Sequence, residues 1–351
     1  MKKTLIALAA MTVIAGAAQA QSTVTLYGRL DAGLAQQTKE TTGAAPVASL
    51  SQNLGTTSTL RTTYWGLKGS EDLGGGLRAN FDLQSQFDID TGSASKDNTL
   101  FERQATVGLS GSFGTVNLGR QYPTQYAVMQ ATDLLGNANV STATTVWGSG
   151  LKQSVTRVSN SIRYDSPSFG GVSGSAVYGL GENKQVGTLV APAVTNFGDA
   201  TNVIGVSIKY AAGPLMVTYG HQEEKQAQAT AIATQLTNKY DVFGGTYDFG
   251  VAMLNGSYQK STNGTTDDKE YQVGVAVPFG AAAIAVGYTH SNSATPGALE
   301  LNSKGFTLAG TYTLSKRTSL YAGYVAQEIE SGAAISTAKT TTFATGVVHT
   351  F

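Results

Sequence analysis

The sequence predicts an all-β chain closed into a 16-stranded antiparallel transmembrane β-barrel. Three observations predict it. Almost every segment after the first twenty residues alternates apolar and polar side chains with period two. Tight Gly- and Pro-rich turns take turns along the chain with longer polar stretches. Only 13% of the residues are charged, against 42 Gly and 16 Tyr, where about 25% charged is usual in a soluble domain.

Residues 1–20 read as a secretory signal peptide. Lys2 and Lys3 give a basic start, Leu5–Ala18 an apolar run, and Ala18-Gln19-Ala20 a small-x-small cleavage site. The domain expected to remain is 21–351. Removing the two lysines leaves 21 bases against 23 acids, a balance that argues against a nucleic-acid partner. There is no Cys, so neither a disulfide framework nor a thiolate metal site is available. No later stretch approaches the roughly 20 apolar residues that a spanning helix needs.

The strands follow in order. Val24, Leu26, Gly28 and Leu30 share one face, with Thr25, Tyr27, Arg29 and Asp31 on the other. Leu77, Ala79, Phe81 and Leu83 oppose Arg78, Asn80, Asp82 and Gln84. Val158, Ile162 and Tyr164 oppose Arg157, Ser159, Ser161, Arg163 and Asp165. The pattern continues through Ile204–Tyr210, Ala252–Gln259, Tyr271–Val277 and Phe306–Thr313. Short turns fall at Asp72–Gly76, Gly111–Gly114, Pro167–Gly171, Ala211–Pro214, Asp248–Gly250, Pro278–Gly280 and Leu314–Arg317. Longer stretches, expected as loops of roughly 10–36 residues, far beyond the usual connection, centre near Thr41, Ser93, Val140, Thr188, Ala229, Gly264, Ser293 and Gly332. Seven turns and eight loops join sixteen strands, with both termini on the short-turn side.

Short turns at one end and long loops at the other are the signature of an outer-membrane barrel. Lipid cannot satisfy backbone N–H and C=O groups, so a sheet inside it must close. Alternation alone would also suit a soluble sandwich, whose apolar face points to a core. Sixteen long strands without a second core favour the barrel, and a barrel of that size encloses an aqueous channel. Tyr27, Trp65, Tyr164, Tyr210, Phe249, Phe279, Tyr312 and Phe343 lie near strand ends, where interfacial girdles sit. The last alternating run ends on Phe351.

One stretch departs from the pattern. Gln121–Thr156 has no strand-like alternation and no tight turn, and it carries Tyr122, Tyr126, Met129, Leu134, Leu135, Val140 and Trp147 with one acid, Asp133, and one base, Lys152. A segment of roughly 36 residues so rich in apolar groups is expected to tuck into a cavity built by the rest of the chain, a folded surface loop being the alternative.

Several blocks resemble the general porins of β-proteobacteria, of the Neisseria, Bordetella and Comamonas type. They are Ser22–Gly28, Gly66–Leu77 (GLKGSEDLGGGL), Arg103–Gln121 (RQATVGLSGSFGTVNLGRQ), Ser161–Gly171 (SIRYDSPSFGG) and Leu314–Thr318. The resemblance implies a homotrimer of sixteen-stranded barrels in the cell outer membrane, in contact with outer-membrane lipid and lipopolysaccharide. It implies an in-folded third extracellular loop, here 121–156, and passive passage of ions and small hydrophilic solutes. Relatives of the anion-selective kind carry wall arginines where Arg103 and Arg157 stand. Tyr64 takes a place where a further arginine is common, and the loop acids are thinned to Asp133.

By parity Arg29, Arg157, Arg163 and Lys68 line the lumen, beside the acids Asp31, Asp82 and Asp165. Arg103 and Arg120 fall on the apolar parity, next to Val107 and Leu118. A charge on the lipid face costs about 2–4 kcal/mol near mid-membrane, so either a bulge turns them inward or they sit at the rim, and the lumen is expected for both because the long segment joins just after Arg120. The pore-lining set is therefore Arg29, Tyr64, Lys68, Arg103, Arg120, Asp133, Arg157 and Arg163, and the expected function is a weakly anion-preferring diffusion channel. The alternative is a substrate-specific channel on the same barrel, which a lumen ladder of aromatics would mark. No enzyme is expected. His221, His290 and His349 are far apart without metal-ligand spacing, and no nucleophile–base pair is in evidence. Neither a cofactor nor a metal is expected.

Overall fold

The computed structural model describes residues 23–42, 47–54, 60–94, 99–136, 138, 140–146, 155–181, 202–225, 236–298, 300–331 and 336–351. The expected signal peptide, Trp147 and Lys152 lie outside the described residues. The strands are β1 (Thr23–Thr42), β2 (Val47–Leu54), β3 (Tyr64–Gly74), β4 (Leu77–Gln86), β5 (Gln104–Gly111), β6 (Gly114–Gln121), β7 (Val158–Asp165), β8 (Val172–Gly179) and β9 (Asn202–Ala212). They continue as β10 (Leu215–Lys225), β11 (Thr237–Asp248), β12 (Met253–Thr262), β13 (Asp267–Phe279), β14 (Ala282–Ala294), β15 (Leu301–Thr313), β16 (Thr318–Ser331) and β17 (Ser336–Thr350). Two helices, α1 (Thr124–Thr132) and α2 (Thr142–Val146), lie between β6 and β7.

All pairings are antiparallel, and from β3 onward each strand pairs with the next. One edge of β1 pairs with β17 from Arg29↔Thr350 to Thr42↔Thr337. Its other edge pairs with β3 through Thr23–Arg29 and with β2 through Leu34–Thr41. β2 and β3 thus share one place in the circuit, and the barrel closes with sixteen strand positions. At the seam Gly28 and Phe351 exchange two backbone hydrogen bonds of 3.1 Å. The β1–β17 pairing closes the circuit through β3–β17, the condition lipid imposes.

The two faces separate as the alternation requires. Val24, Leu26, Val107, Leu118, Ile208, Val273 and Ile284 are exposed on the outer face, while Gln222, Gln259, Gln272, Thr289 and Thr307 are buried on the other. Tyr219, Phe243, Tyr258 and Tyr271 stand opposite one another in a lateral row across β10–β13. Tyr247, Phe249, Phe279 and Tyr312 are exposed near the short turns at the other end. These are two aromatic girdles.

The seven short turns fall where the sequence places them. Several expected long loops do not. β12 and β13 are joined by the four residues 263–266, and β14 and β15 by the six residues 295–300. β1 runs through Thr41, and Ser293 lies inside β14. Polar residues such as those of Asp267–Glu270 read as loop, yet the ladder continues through them. Above the apolar belt water reaches the outer face, so polarity there no longer excludes a paired strand.

A second correction concerns β7. Val158 is buried and not on the exposed face of Ile162, because the alternation slips at Asn160, whose φ is +50°. Gly119 pairs with Ser161 but Gln121 with Val158, so Ser159 and Asn160 together oppose Arg120. This is a β-bulge, eased by Gly119 at φ +124°.

The seam gives a test. A Cβ on Gly28 would lie 2.5 Å from the Tyr64 carbonyl oxygen and 2.7 Å from the Phe351 ring, and backbone cannot give way as a side chain can. Gly28→Leu should cost on the order of 1–3 kcal/mol. The expected readout is a clear loss of the folded, heat-modifiable band on refolding, with Gly287→Leu, whose Cβ meets nothing closer than 3.9 Å, as the tolerant control.

Candidate functional site

The segment between β6 and β7 is not one irregular loop, as its sequence suggests, but carries α1 and α2. α1 follows Pro123 and has no side-chain cap, no acid in its first turn and no base in its last, so the usual start and stop signals are missing. Its buried residues, Thr124, Gln125, Val128, Met129 and Thr132, recur at helical spacing, but polar and apolar types mix. The surface they meet is polar too.

Gln222 Oε1 accepts from Gln125 N at 3.1 Å, and Gln125 Nε2 donates to Gln259 Oε1. The Thr132 carbonyl accepts from Asn255 Nδ2 and from Gln272 Nε2, the latter at 3.0 Å. Thr142 N donates to Thr307 Oγ1 at 3.1 Å, and the hydroxyls of Thr142 and Thr289 are 2.7 Å apart. Val155 N donates to Glu224 Oε1 at 3.0 Å. All these wall residues belong to the face opposite the exposed apolar one. Two apolar clusters fill the gaps: Val128 and Met129 on Val242, and Ala138 and Val140 on Leu60, Tyr321, Val325, Ala344 and Val348. Burying Val128, Met129, Val140 and Val146 contributes roughly 1.5–3 kcal/mol each. Glycines on the wall allow the approach. A Cβ on Gly305 would lie 2.6 Å from Thr142 Cγ2 and 2.9 Å from Val146 Cγ2, and one on Gly220 3.0 Å from Val128.

The other side of the segment meets a cavity of about 210 Å³ whose lining includes Arg29, Arg61, Arg103, Arg120 and Arg157. One carboxylate, Glu102, lines it as well. Arg29 reaches inward from β1 and donates Nε to the Thr62 carbonyl at 3.1 Å. Arg61 Nη1 donates to the Gly136 carbonyl at 3.2 Å. Arg120, at the bulge, donates Nε to the Glu102 carbonyl at 2.6 Å and Nη1 to Ser159 Oγ at 2.8 Å. Arg157 donates Nε to the Arg103 carbonyl and Nη1 to the Thr156 carbonyl at 2.8 Å. Rings hold the guanidinium planes. Tyr64 lies between Arg29 and Arg103, 5.4 and 4.7 Å from its centroid. Tyr122 and Tyr126 stack at 5.1 Å, and Arg157 Cζ sits 3.5 Å from the Tyr122 centroid. Carbonyl oxygens and ring faces orient a guanidinium without cancelling its charge.

Burial lowers the pKa of Arg157 and of Arg61, opposed by Tyr122 and by Asp133 respectively. Both start so far above neutral pH that they remain cations.

Of the residues selected from sequence, Arg29, Arg103, Arg120 and Arg157 meet at this cavity, with Tyr64 as their spacer. The other three lie elsewhere. Lys68 Nζ stands 4.7 Å from the Tyr27 ring centroid. Arg163 pairs with Asp165 at 2.7 Å and donates to the Tyr122 carbonyl at 3.0 Å. Asp133 ends α1 and lines a smaller cavity beside Leu134, Asn255 and Gln272. Sequence reasoning passed over Arg61, which precedes β3 in a stretch without alternation, and the tyrosine stack. The i, i+4 spacing of Tyr122 and Tyr126 was the available signal.

A closed barrel with an apolar outer belt and a basic inner wall is a membrane channel of the outer-membrane type. A model of the Gram-negative porin family matches residues 7–331. "Outer membrane porin protein 32" of Delftia acidovorans is 35% identical over 338 residues, 92% of this chain and 88% of that one. An outer membrane porin protein of Bordetella pertussis is 33% identical over the whole of both chains. The solved anion-selective porin from Comamonas acidovorans superposes with a TM-score of 0.76 at 28% identity, covering 94% of this chain and 100% of that one. The chain belongs to the Gram-negative porin family. It is an outer-membrane channel protein and not an enzyme.

The seating of α2 can be tested without reference to transport. Gly305→Val puts methyl groups into Thr142 and Val146, an overpacking cost of about 1–3 kcal/mol. The amides of 140–146 should exchange with solvent roughly 10- to 100-fold faster in the variant, with β14–β16 unchanged, as read by hydrogen–deuterium exchange.

Proposed function

We propose that the protein is a general diffusion channel for ions and small hydrophilic solutes, with a weak preference for anions, in which segment 121–156 folds into the barrel and sets the constriction. The observation that carries this reading is the set of five arginines around one cavity with a single lining carboxylate. Arg29, Arg61, Arg103 and Arg157 donate to carbonyls, an amide oxygen and a tyrosine hydroxyl, which orient their charges toward the cavity without cancelling them. The hydrogen bonds from 121–156 to wall residues of β10, β12, β13, β14 and β15 support the constriction. The preference is weak because the Debye length, about 8 Å at physiological salt, is comparable with the reach of a wall charge across such a channel. Aromatics crowd the arginines here as their supports, which favours charge over sugar-type stacking as the selecting force.

The homotrimer belongs to the same reading. The resemblance to β-proteobacterial porins supports it, and so do strongly exposed apolar groups near the seam, such as Val24 at 67% and Leu26 at 60%. Outer-membrane lipid and lipopolysaccharide are the surroundings of the apolar belt.

The test is the zero-current potential of the purified protein in a planar bilayer under a KCl gradient. A potential of the sign set by Cl⁻ is expected, and cation preference would overturn the reading. One charge roughly 8 Å from a passing ion is worth about 0.5 kcal/mol in water, reduced to about 0.2 kcal/mol by screening over one Debye length, with opposite signs for Cl⁻ and K⁺. Arg157→Ala should therefore lower the Cl⁻/K⁺ permeability ratio about 2-fold.

A further inference from the structure

Asp31 on β1 is a carboxylate that the channel does not use as a lining charge. Parity puts it on the lumen face beside Arg29, yet it is 0% exposed. Among the described residues it has no ion pair within 4.0 Å. A sealed carboxylate is tolerated only where hydrogen bonds replace its water. Here three do so. Oδ2 accepts from Leu60 N at 2.8 Å and from Arg61 N, and Oδ1 accepts from Tyr321 Oη at 2.7 Å. The Asp31 amide also donates to Thr63 Oγ1 at 2.9 Å.

The partners come from two places. Tyr321 stands on β16 and reaches β1 across β17. It passes over its ladder partner Gly346, where a Cβ would lie 2.5 Å from the tyrosine hydroxyl. Leu60 and Arg61 lie outside every strand pairing, just before β3. No ladder fixes their position, so the bonds to Asp31 do.

Both routes from Asp31 end on the same part of the inner segment, the link between α1 and α2. Arg61 extends from its tethered backbone to the Gly136 carbonyl. Gly136 has φ +57°, and a Cβ there would lie 2.9 Å from Arg61 Nη1. Leu60 and Tyr321 pack together with Ala138 and Val140. The rest of the segment is held from other strands, α1 by Gln222 and Gln259 and the start of α2 by Thr289 and Thr307.

We propose that Asp31 is a positioning residue of the channel. Its buried carboxylate ties Leu60, Arg61 and Tyr321 together, latches 136–140 through them, and aims Arg61 into the arginine cavity. The effect on selectivity rests on the proposed reading of that cavity, and the latch itself does not. A positioning group and a plain lumen charge act with opposite signs. Removing a carboxylate near the lumen raises anion preference, whereas removing the support of Arg61 lowers it.

The full-length mature protein is measured in planar bilayers under a KCl gradient and by hydrogen–deuterium exchange. Asp31→Asn and Asp31→Ala both delete the charge. The Asn oxygen still accepts from Leu60 N and Arg61 N, and its NH₂ donates to the Tyr321 oxygen, whereas Ala does neither. D31N should match or exceed the wild-type Cl⁻/K⁺ permeability ratio. D31A should fall about 2-fold below D31N, the screened worth of one wall charge. With Arg61 removed the two substitutions should be equivalent, so D31N/R61A and D31A/R61A should share one ratio. The Gly136 and Ser141 amides bond to the Asp133 and Ala138 carbonyls within the segment. In D31A they should exchange about 10-fold faster than in D31N, with the α1 amides unchanged. Gly136→Ala breaks the latch from its other end and leaves the barrel wall alone. It should speed exchange at Ser141 and lower the ratio as D31A does, which keeps the test open even where D31A fails to refold. A D31A ratio at or above that of D31N would overturn the proposal. So would unchanged exchange at Ser141 in D31A or in G136A. Cation preference of the wild type would instead overturn the reading of the cavity, with the exchange rates still deciding the latch.

Discussion

The closure of the sheet on itself is the condition from which the rest of the molecule follows. In hydrocarbon an unpaired backbone N–H or C=O has nothing to bond, at a cost of several kcal/mol each. The β1–β17 seam and the Gly28–Phe351 exchange join the two ends of the sheet. Once the ring is closed, alternation has only one meaning. One set of side chains must suit lipid and the other must line the interior, and a single-residue slip would exchange them.

The interior is therefore polar by construction, and that decides how segment 121–156 can bind to it. A helix seated on a polar wall gains from hydrogen bonds by Gln125, Thr132 and Thr142 as much as from Val128, Met129 and Val140. The opposite side of the same segment supplies Tyr122 and Tyr126 as a flat support for Arg157. In the proposed reading one segment thus both narrows the interior and holds a selecting charge in place. The slip of register at Gly119–Gln121 serves the same cavity, since it re-aims Arg120, which plain alternation would have left in lipid. The strain of Asn160 at positive φ accompanies this re-aiming.

The outer face is layered by the solvent around it. Aliphatic side chains give way to tyrosine and phenylalanine at the interface, then to charges that mostly pair with each other. The strands do not stop at the interface. They continue upward with both faces polar, so the barrel wall stands above the membrane and the connections at Asn263–Thr266 and beyond it are short.

The chain's sequence determined its class, its strand number, the end that carries the short turns, and the faces of most strands. Period-two alternation and turn chemistry are local properties that closure leaves intact, as Leu77–Gln84 and Tyr271–Val277 illustrate. Sequence also included Arg29, Arg103, Arg120 and Arg157 among eight pore-lining candidates, and the fold brings these four to one cavity. It did not reveal Arg61, since nothing in Leu60-Arg61-Thr62-Thr63 sets a parity and only the fold brings that stretch to Asp31 and Gly136. It concealed α1, because a helix that docks on glutamines and threonines has no apolar stripe. It mistook polar strand tips for loops, because polarity reports contact with water and not the loss of a ladder. Tertiary structure alone decided which charges share a cavity and which stand apart, as Arg163 does with Asp165 and Lys68 with Tyr27. Those outcomes depend on register, bulge and the path of one long segment, and these are set by contacts between residues far apart in the chain.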